Sequence, residues 1–164
     1  MCTLHGELNI SAFKQAWQQV VGRHPSLRTA FVWKGLDKPV MVVYRRVKLL
    51  VEQYDLRRHS TADREVQLQN YLQADLTRGF ELSKPPLMRI ALLRITEDTY
   101  KFVWSSHHLI LDAWSNTVLL KEFFTLYEAF CQGKSIHLKP SRPYRDYIAW
   151  LKQQNLSQLE YPKE

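Results

Sequence analysis

Hydrophobic and polar positions alternate along the chain in a way that separates strands from helices. Residues 2–9 alternate as a strand does. They lead into residues 10–22, where apolar side chains recur at helical spacing, namely Phe13, Ala16, Trp17, Val20 and Val21. Either Asn9 or Ser11 can cap this helix, because both side chains accept hydrogen bonds from free amide groups, and Gly22 suits its end.

The next part of the pattern predicts a hairpin and a second helix. Residues 26–33 and 40–47 are rich in β-branched and aromatic side chains, and a polar stretch separates them. Residues 61–77 are more polar but keep a helical repeat of apolar positions, namely Val66, Leu68, Tyr71, Leu72 and Leu76.

Two apolar segments then predict the centre of a sheet. Residues 87–95 and 100–106 are apolar on both faces and are joined by a polar turn, which is typical of strands covered by helices. A helix follows over residues 113–132, with a short closing helix over residues 144–154. The apolar stripe of the first of these comprises Trp114, Val118, Leu119, Phe123, Leu126, Tyr127 and Phe130. The element order β-α-β-β-α-β-β-α-α predicts an α/β layered domain with helices on a sheet.

Composition narrows the class of protein. With 164 residues and 45% hydrophobic content, the chain has the size and core of one domain. Its net charge of +7 is spread along the sequence, which favours an acidic or phosphate-bearing partner but supports nucleic-acid binding only weakly. Cys2 and Cys131 predict free thiols, and no run of about 20 apolar residues suits a bilayer. We expect a cytoplasmic protein that binds neither nucleic acid nor membrane.

Candidate chemistry is concentrated where the second central strand ends. His107 and His108 follow that strand directly, and Asp112 lies four residues beyond the second histidine. A histidine pair beside a buried strand is often structural, and a metal site would need further converging ligands. A general base would need a neutral imidazole held near substrate. The residues alone do not decide between the structural and the general-base interpretation, and they predict no bound metal because the other histidines lie on separate elements.

Four blocks of sequence then resemble one family. Residues 107–115, HHLILDAWS, are similar to the His-His-x-x-x-Asp-Gly motif of the condensation domains of nonribosomal peptide synthetases, which also occurs in chloramphenicol acetyltransferase and related acyltransferases. Residues 22–31, GRHPSLRTAF, resemble the family's Arg-His-x-x-Leu-Arg-Thr-x-Phe motif. Residues 80–95 resemble its Phe-Asp-Leu-x-x-x-Pro-Leu-x-Arg segment, and residues 144–154 its Tyr-x-Asp-(Tyr/Phe) stretch.

The resemblance implies a chloramphenicol-acetyltransferase-like fold with a mixed sheet covered by helices. It also implies amide bond formation between a donor acyl or aminoacyl thioester and an aminoacyl acceptor. Both substrates would be carried on the phosphopantetheine of peptidyl or aminoacyl carrier proteins. The expected partners are therefore carrier proteins, and no cofactor is expected to bind the chain directly.

By the same resemblance, His108 is the residue at the reaction centre, where it positions or deprotonates the acceptor amine. His107 is expected to be structural. Asp112 is expected to face away from substrate and to pair with Arg28.

Three further positions are placed near the site by resemblance. Ser106 and Trp114 flank it, and only their location is predicted. Ala113 stands where the family has glycine. Alanine keeps the backbone N–H and adds one methyl group, so it should fit with little strain if its φ is negative. The intact His107 disfavours a heterocyclisation domain, and the order Trp114–Ser115 disfavours an epimerisation domain, so peptide-bond formation fits best.

The resemblance covers the amino-terminal half of the family's domain, assigned here to residues 1–154, with residues 155–164 as a tail. The expected active site of the whole domain is a tunnel between two halves, so the chain is expected to be inactive alone unless a separate chain supplies the second half. Two alternatives remain open. One is a catalytically silent fragment or binding module that docks a carrier protein or partner chain, and the other is a related acyltransferase that forms esters on a hydroxyl acceptor.

Overall fold

The computed structural model describes residues 1–139 together with Asp146, Ala149, Trp150 and Gln153. The strands are β1 Cys2–His5, β2 Thr29–Val32, β3 Val40–Val43, β4 Val51–Asp55, β5 Met88–Arg94 and β6 Thr99–Ser106. The helices are α1 Ile10–Arg23, α2 Thr61–Arg78 and α3 Ala113–Cys131, with a 3₁₀ turn over Pro25–Arg28. The predicted closing helix over residues 144–154 lies largely outside the described residues.

Four strands form a mixed sheet in the order β1-β6-β5-β4. β6 is antiparallel to both β1 and β5, whereas β4 runs parallel to β5. The parallel pair is possible because α2 makes the crossover between β4 and β5. β2 and β3 form a separate antiparallel hairpin. The mixed sheet with helices confirms the predicted α/β class.

Helices cover both faces of the four-stranded sheet. Alternate residues of a strand face opposite sides, so β5 and β6 contribute to two clusters. Ile90, Leu92 and Phe102 pack with α1 and α3 in the larger cluster. Ala91 and Val103 pack with α2 in the smaller one. The predicted burial of β5 and β6 on both faces is confirmed.

Aromatic rings fill the larger cluster. Trp17 of α1 stacks on Phe123 of α3 with the ring centroids 4.7 Å apart, and Phe13 meets the same ring edge-on at 5.0 Å. Such ring pairs add about 1 kcal/mol each beyond the area that they bury. The apolar face predicted for α1 is confirmed, since all five of its positions are fully buried.

Each long helix begins at a side chain that accepts a backbone hydrogen bond. Asn9 accepts from the N–H of Ala12 at 3.0 Å, which confirms one of the two predicted caps of α1. Ser60 caps α2 and Asp112 caps α3 in the same way. These bonds satisfy amide groups that would otherwise lack partners in the first helical turn.

Several elements differ from the sequence prediction. β4 was not predicted at all. The first strand of the hairpin begins at Thr29 rather than at residue 26, because Pro25–Arg28 form the 3₁₀ turn. On α2 and α3, four predicted stripe positions lie in solvent, namely Val66, Leu76, Trp114 and Val118. The buried position of α2 that the pattern missed is a charged residue, Asp75.

Cys2 and Cys131 are exposed and free, as predicted. Among the described residues, no helix combines the length and apolar character that crossing a bilayer would require.

Candidate active site

His107 and His108 lie immediately after β6, where the chain turns towards α3. The N–H of His107 donates to the carbonyl oxygen of Leu87 at 3.0 Å, which extends the β5–β6 ladder by one residue. The carbonyl oxygen of His107 then accepts from the N–H of Ile110 at 3.1 Å, which closes a tight turn. The second histidine therefore occupies the turn, and the first one anchors it.

The two imidazoles have different environments. The His107 ring is half-buried, and its Nδ1 accepts from the N–H of Leu109 at 3.1 Å. It forms a perpendicular pair with the Phe80 ring, with the two centroids 6.2 Å apart. His108 is exposed, and no residue in the described part of the chain hydrogen-bonds its ring. The geometry thus gives His107 local contacts and leaves both nitrogens of His108 available for another molecule.

Asp112 is the N-cap of α3. Its Oδ1 accepts from the N–H of Ser115 at 2.7 Å. Hydrogen bonds from Ser115 hold the pKa of the Asp112 carboxyl below its ordinary value. The carboxylate therefore stays charged at neutral pH, where it also complements the positive end of the helix dipole.

Arg28 lies elsewhere and has other partners. Its guanidinium donates to the carbonyl oxygens of Tyr44 and Arg45, and its buried Nε has no hydrogen-bond partner within the described residues. Neither of these contacts involves Asp112, which bonds to Ser115 instead. The structure does not bring the predicted Arg28–Asp112 ion pair together.

The flanking positions lie around the same turn. Ser106 is the last residue of β6 and pairs with Met88. Ala113 is the first residue of α3, and no residue other than glycine has a positive φ in the described ranges, so the condition for alanine to fit is met. The Trp114 side chain is 85% exposed, and Val118 lies one helical turn further along on the same side.

A charged cluster that the sequence did not indicate lies close to this turn. Asp75 of α2 is buried, and its carboxylate accepts from Arg89 Nε at 2.6 Å and from Ser105 Oγ at 2.5 Å. The Arg89 guanidinium lies 4.0 Å from the centre of the Phe80 ring. Arg89 belongs to the segment that resembles the family, whereas a carboxylate within a polar helix gives no comparable signal.

Burial alone would raise the pKa of the Asp75 carboxyl. Hydrogen bonds from Arg89, Ser105 and Arg78 outweigh that effect and hold the pKa below its ordinary value. The cluster is therefore a buried carboxylate that remains charged because its neighbours supply both positive charge and donors.

A second unpredicted cluster joins α1 to α3. Glu122 Oε2 lies 3.0 Å from Arg23 Nε and 2.8 Å from His24 Nε2. Arg23 also donates to the carbonyl oxygens of Leu138 and Lys139. The adjacent Arg23 and His24 begin the second block of the resemblance, and their role here is to hold two helices and a loop together.

The chemistry available at the turn follows from these contacts. Within the described ranges, no group of three or more His, Cys, Asp or Glu side chains is arranged to hold a metal ion. His108 precedes Asp112, the N-cap of α3, by four residues, and the positive end of a helix dipole stabilises a negative charge that develops near it. The arrangement suits proton acceptance beside a polarised carbonyl group.

Comparison with known proteins identifies the family of the chain. The family described as "Condensation domain" matches residues 1–163. The chain is 46% identical over 153 residues to one of the proteins that form the linear gramicidin synthase of Brevibacillus parabrevis, covering 93% of this chain and 3% of that protein. It is 36% identical over 152 residues to bacitracin synthase 3 of Bacillus licheniformis, covering 93% of this chain and 2% of that protein. The chain thus spans a small part of these relatives.

Solved structures share the fold. The starter condensation domain of rhizomide synthetase RzmA superposes with a TM-score of 0.79 at 20% identity, over 92% of this chain and 37% of that one. The cyclization-docking bidomain of the EpoB nonribosomal peptide synthetase from Sorangium cellulosum gives a TM-score of 0.77 at 25% identity, over 92% of this chain and 29% of that one. The chain belongs to the condensation domain family, and its fold is that of these domains.

Proposed function

We propose that this chain contributes the His108-bearing wall of an acyltransferase site that forms amide bonds in nonribosomal peptide synthesis. The observation that carries the proposal is the exposed imidazole of His108, which has no hydrogen-bond partner in the described part of the chain and precedes the N-cap of α3 by four residues. The match to the condensation domain family supports it.

The proposed reaction joins two thioester-bound substrates. The amine nitrogen of the acceptor attacks the carbonyl carbon of the donor thioester, so a C–N bond forms and the C–S bond breaks. The thiolate leaves with the electron pair, and the nitrogen gives up one proton. His108 accepts that proton or holds the amine through a hydrogen bond, for which its imidazole must be neutral.

Carrier proteins are the proposed partners, because each substrate would arrive as a thioester on a phosphopantetheine arm. The matched relatives are named as synthases of linear gramicidin and of bacitracin, which fits carrier-bound chemistry. The net charge of +7 would favour an acidic carrier surface. The phosphopantetheine belongs to the carrier and is therefore substrate chemistry, not a cofactor of this chain.

An exposed histidine needs a second surface before it can align two substrates and exclude water. We place that surface opposite the end of β6, supplied by further residues of a longer polypeptide or by a separate chain. On this proposal residues 1–154 are the amino-terminal half of the site and residues 155–164 a tail. Three exposed apolar side chains border the turn and fit a covering partner, namely Leu109, Trp114 and Val118.

The same exposed side chains favour a second candidate, a catalytically silent module that docks a carrier or partner chain. This alternative uses the surface but not the imidazole. The two candidates therefore differ in whether His108 is needed once the partner is bound.

A reconstituted condensation assay separates them. The chain would be mixed with donor and acceptor carrier proteins loaded with aminoacyl thioesters, with and without a separately expressed carboxyl-terminal half of a condensation domain. Mass spectrometry would detect the dipeptidyl thioester. We expect product in the complemented reaction and a loss of at least about 100-fold with His108→Ala.

His59→Ala is the matched control, since His59 is an exposed histidine in the loop before α2. It should leave the rate unchanged. Product formation that survives His108→Ala would overturn the catalytic role. A complemented mixture that binds both carriers yet forms no product would favour the docking module.

A further inference from the structure

We propose that Asp75, Arg89 and Phe80 are positioning residues that fix the turn carrying His107 and His108. They act on His108 through His107 and do not touch substrate themselves. The kinetic part of this inference rests on the proposed function, whereas the structural part does not.

The first step is the attachment of Arg89 to the end of α2. Its Nε donates to the Asp75 carboxylate at 2.6 Å, its Nη2 donates to the Asp75 carbonyl oxygen at 2.9 Å, and its Nη1 donates to the carbonyl oxygen of Gly79. The guanidinium thus binds one carboxylate and two carbonyl groups at the helix C-terminus, where positive charge is favoured. Arg89 cannot rotate without breaking several of these bonds together.

The second step carries this rigidity to His107. The planar guanidinium lies 4.0 Å from the centre of the Phe80 ring, which is a cation–π contact. The Phe80 ring in turn meets the His107 ring at an interplanar angle of 86°. Gly79 directs the chain into this contact with φ of 57° and ψ of −157°, a backbone conformation that is essentially confined to glycine.

The third step ties the same cluster to the strand that bears the histidines. Arg89 and Ser105 are direct partners across β5 and β6. Ser105 lies two residues before His107 in the sequence, and its Oγ donates to Asp75 Oδ2 at 2.5 Å. Since residues two apart on a strand share a face, Ser105 and His107 both belong to the side of the sheet that α2 covers.

The consequence concerns the neighbouring histidine. His107 is held by its backbone bond to Leu87, by the N–H of Leu109 and by Phe80. With His107 fixed, the backbone at His108 has a set direction, although the His108 ring itself makes no hydrogen bond with described residues. Loss of the cluster should therefore change the orientation of His108 without changing its chemistry.

The test is the ¹⁵N and ¹H NMR spectrum of the histidine imidazoles in the full chain, which requires no catalysis. Arg89→Lys keeps the positive charge but loses the planar guanidinium, with its several N–H donors and its cation–π contact with the Phe80 ring. We expect shifted ring signals of His107, a changed tautomer ratio at that ring, and a shifted backbone amide of His108. Phe80→Leu keeps apolar volume without the ring and should give the same changes, which covers the case in which Arg89→Lys does not fold.

Glu122→Gln is the matched control, because it disrupts an ion pair of the chain on the opposite side of the sheet. It should leave both histidine signals in place. In the reconstituted condensation assay we expect Arg89→Lys and Phe80→Leu to lower kcat by about 10- to 100-fold with little change in KM. Unchanged His107 and His108 signals in folded Arg89→Lys or Phe80→Leu would overturn the inference. Shifted signals in a protein that never forms product would support the positioning role and count against the proposed function alone.

Discussion

The Nε2 atom of His24, which follows the last residue of α1, lies 2.8 Å from Oε2 of Glu122 in α3, although the two residues are 98 positions apart in the sequence. Arg23 binds the same carboxylate at 3.0 Å. These contacts hold the C-terminal end of α1 against α3, which is the helix that begins after the turn carrying His108. The two helices on this face of the sheet are therefore joined by a carboxylate that is remote in sequence from its partners.

Glu122→Gln should lower the free energy of unfolding by about 1 to 2 kcal/mol, because hydrogen bonds to charged groups are stronger than neutral ones and these side chains are only partly exposed. Urea unfolding followed by circular dichroism would measure it. Glu128→Gln removes an exposed charge from the same helix and should change stability by less than about 0.5 kcal/mol. Equal effects of the two substitutions would contradict a structural role for the ion pair.

Elements with strong apolar periodicity were predictable from the sequence. The burial of Phe13 and Trp17 follows from a stripe that only a helix can present to one partner. Strands β5 and β6 are apolar on both faces, so their central position was also predictable. The location of His107 and His108 at the end of β6 followed directly from the point where that apolar run stops.

Elements that depend on contacts between distant parts of the chain were not predictable. β4 is half-exposed and has no clear alternation, and it exists as a strand because β5 pairs with it. Asp75 lies on a polar helix, and nothing local marks it as buried, because its partners come from β5 and β6. The resemblance implies contact between Arg28 and Asp112, which are far apart in the sequence. In the structure Arg28 donates instead to the carbonyl oxygens of Tyr44 and Arg45, and Asp112 accepts from the N–H of Ser115.

The two adjacent histidines should differ sharply in their contribution to stability. His108→Ala should change the free energy of unfolding by less than about 0.5 kcal/mol, since the side chain is exposed and makes no hydrogen bond with described residues. His107→Ala should cost about 1 to 2 kcal/mol, because it removes the acceptor of the Leu109 N–H and the contact with Phe80. Thermal or urea unfolding of both variants would measure this difference, and a larger cost at His108 would contradict it.

Asp75 should make stability depend on pH in the acid range. Its folded pKa lies below the ordinary value, so its contribution is fully present above the unfolded pKa of about 3.9 and is lost as pH falls through the folded pKa. Asp75→Asn should lower the free energy of unfolding at pH 7 by about 3 kcal/mol, because it leaves Arg89 without its carboxylate partner. Below pH 4 the free energy of unfolding of the variant should therefore fall less steeply than that of the wild type.

Urea unfolding at a series of pH values between about 2.5 and 7 would measure both effects. Glu65→Gln is a suitable control, since Glu65 is an exposed carboxylate on the same helix. If the free energy of unfolding of Asp75→Asn changed with pH in the same way as that of the wild type, the Asp75 carboxyl would not be the group that causes the acid dependence.

Arg28 and Asp112 should contribute to stability independently of each other. Asp112→Ala should cost about 1 kcal/mol, because α3 loses its cap, and Asp112→Asn should recover most of this loss since asparagine caps equally well. Arg28→Ala should have its own cost, because the carbonyl oxygens of Tyr44 and Arg45 lose their donor. The double variant should equal the sum of the single ones within about 0.5 kcal/mol.

A double-mutant cycle by urea unfolding measures the coupling directly. Rescue by asparagine discriminates further, because the amide oxygen can cap the helix but cannot form an ion pair with Arg28. A coupling above about 1 kcal/mol, together with failure of Asp112→Asn to restore stability, would show that the ion pair implied by the resemblance forms in solution. The buried Nε of Arg28, which lacks a partner among the described residues, would then be the donor available for it.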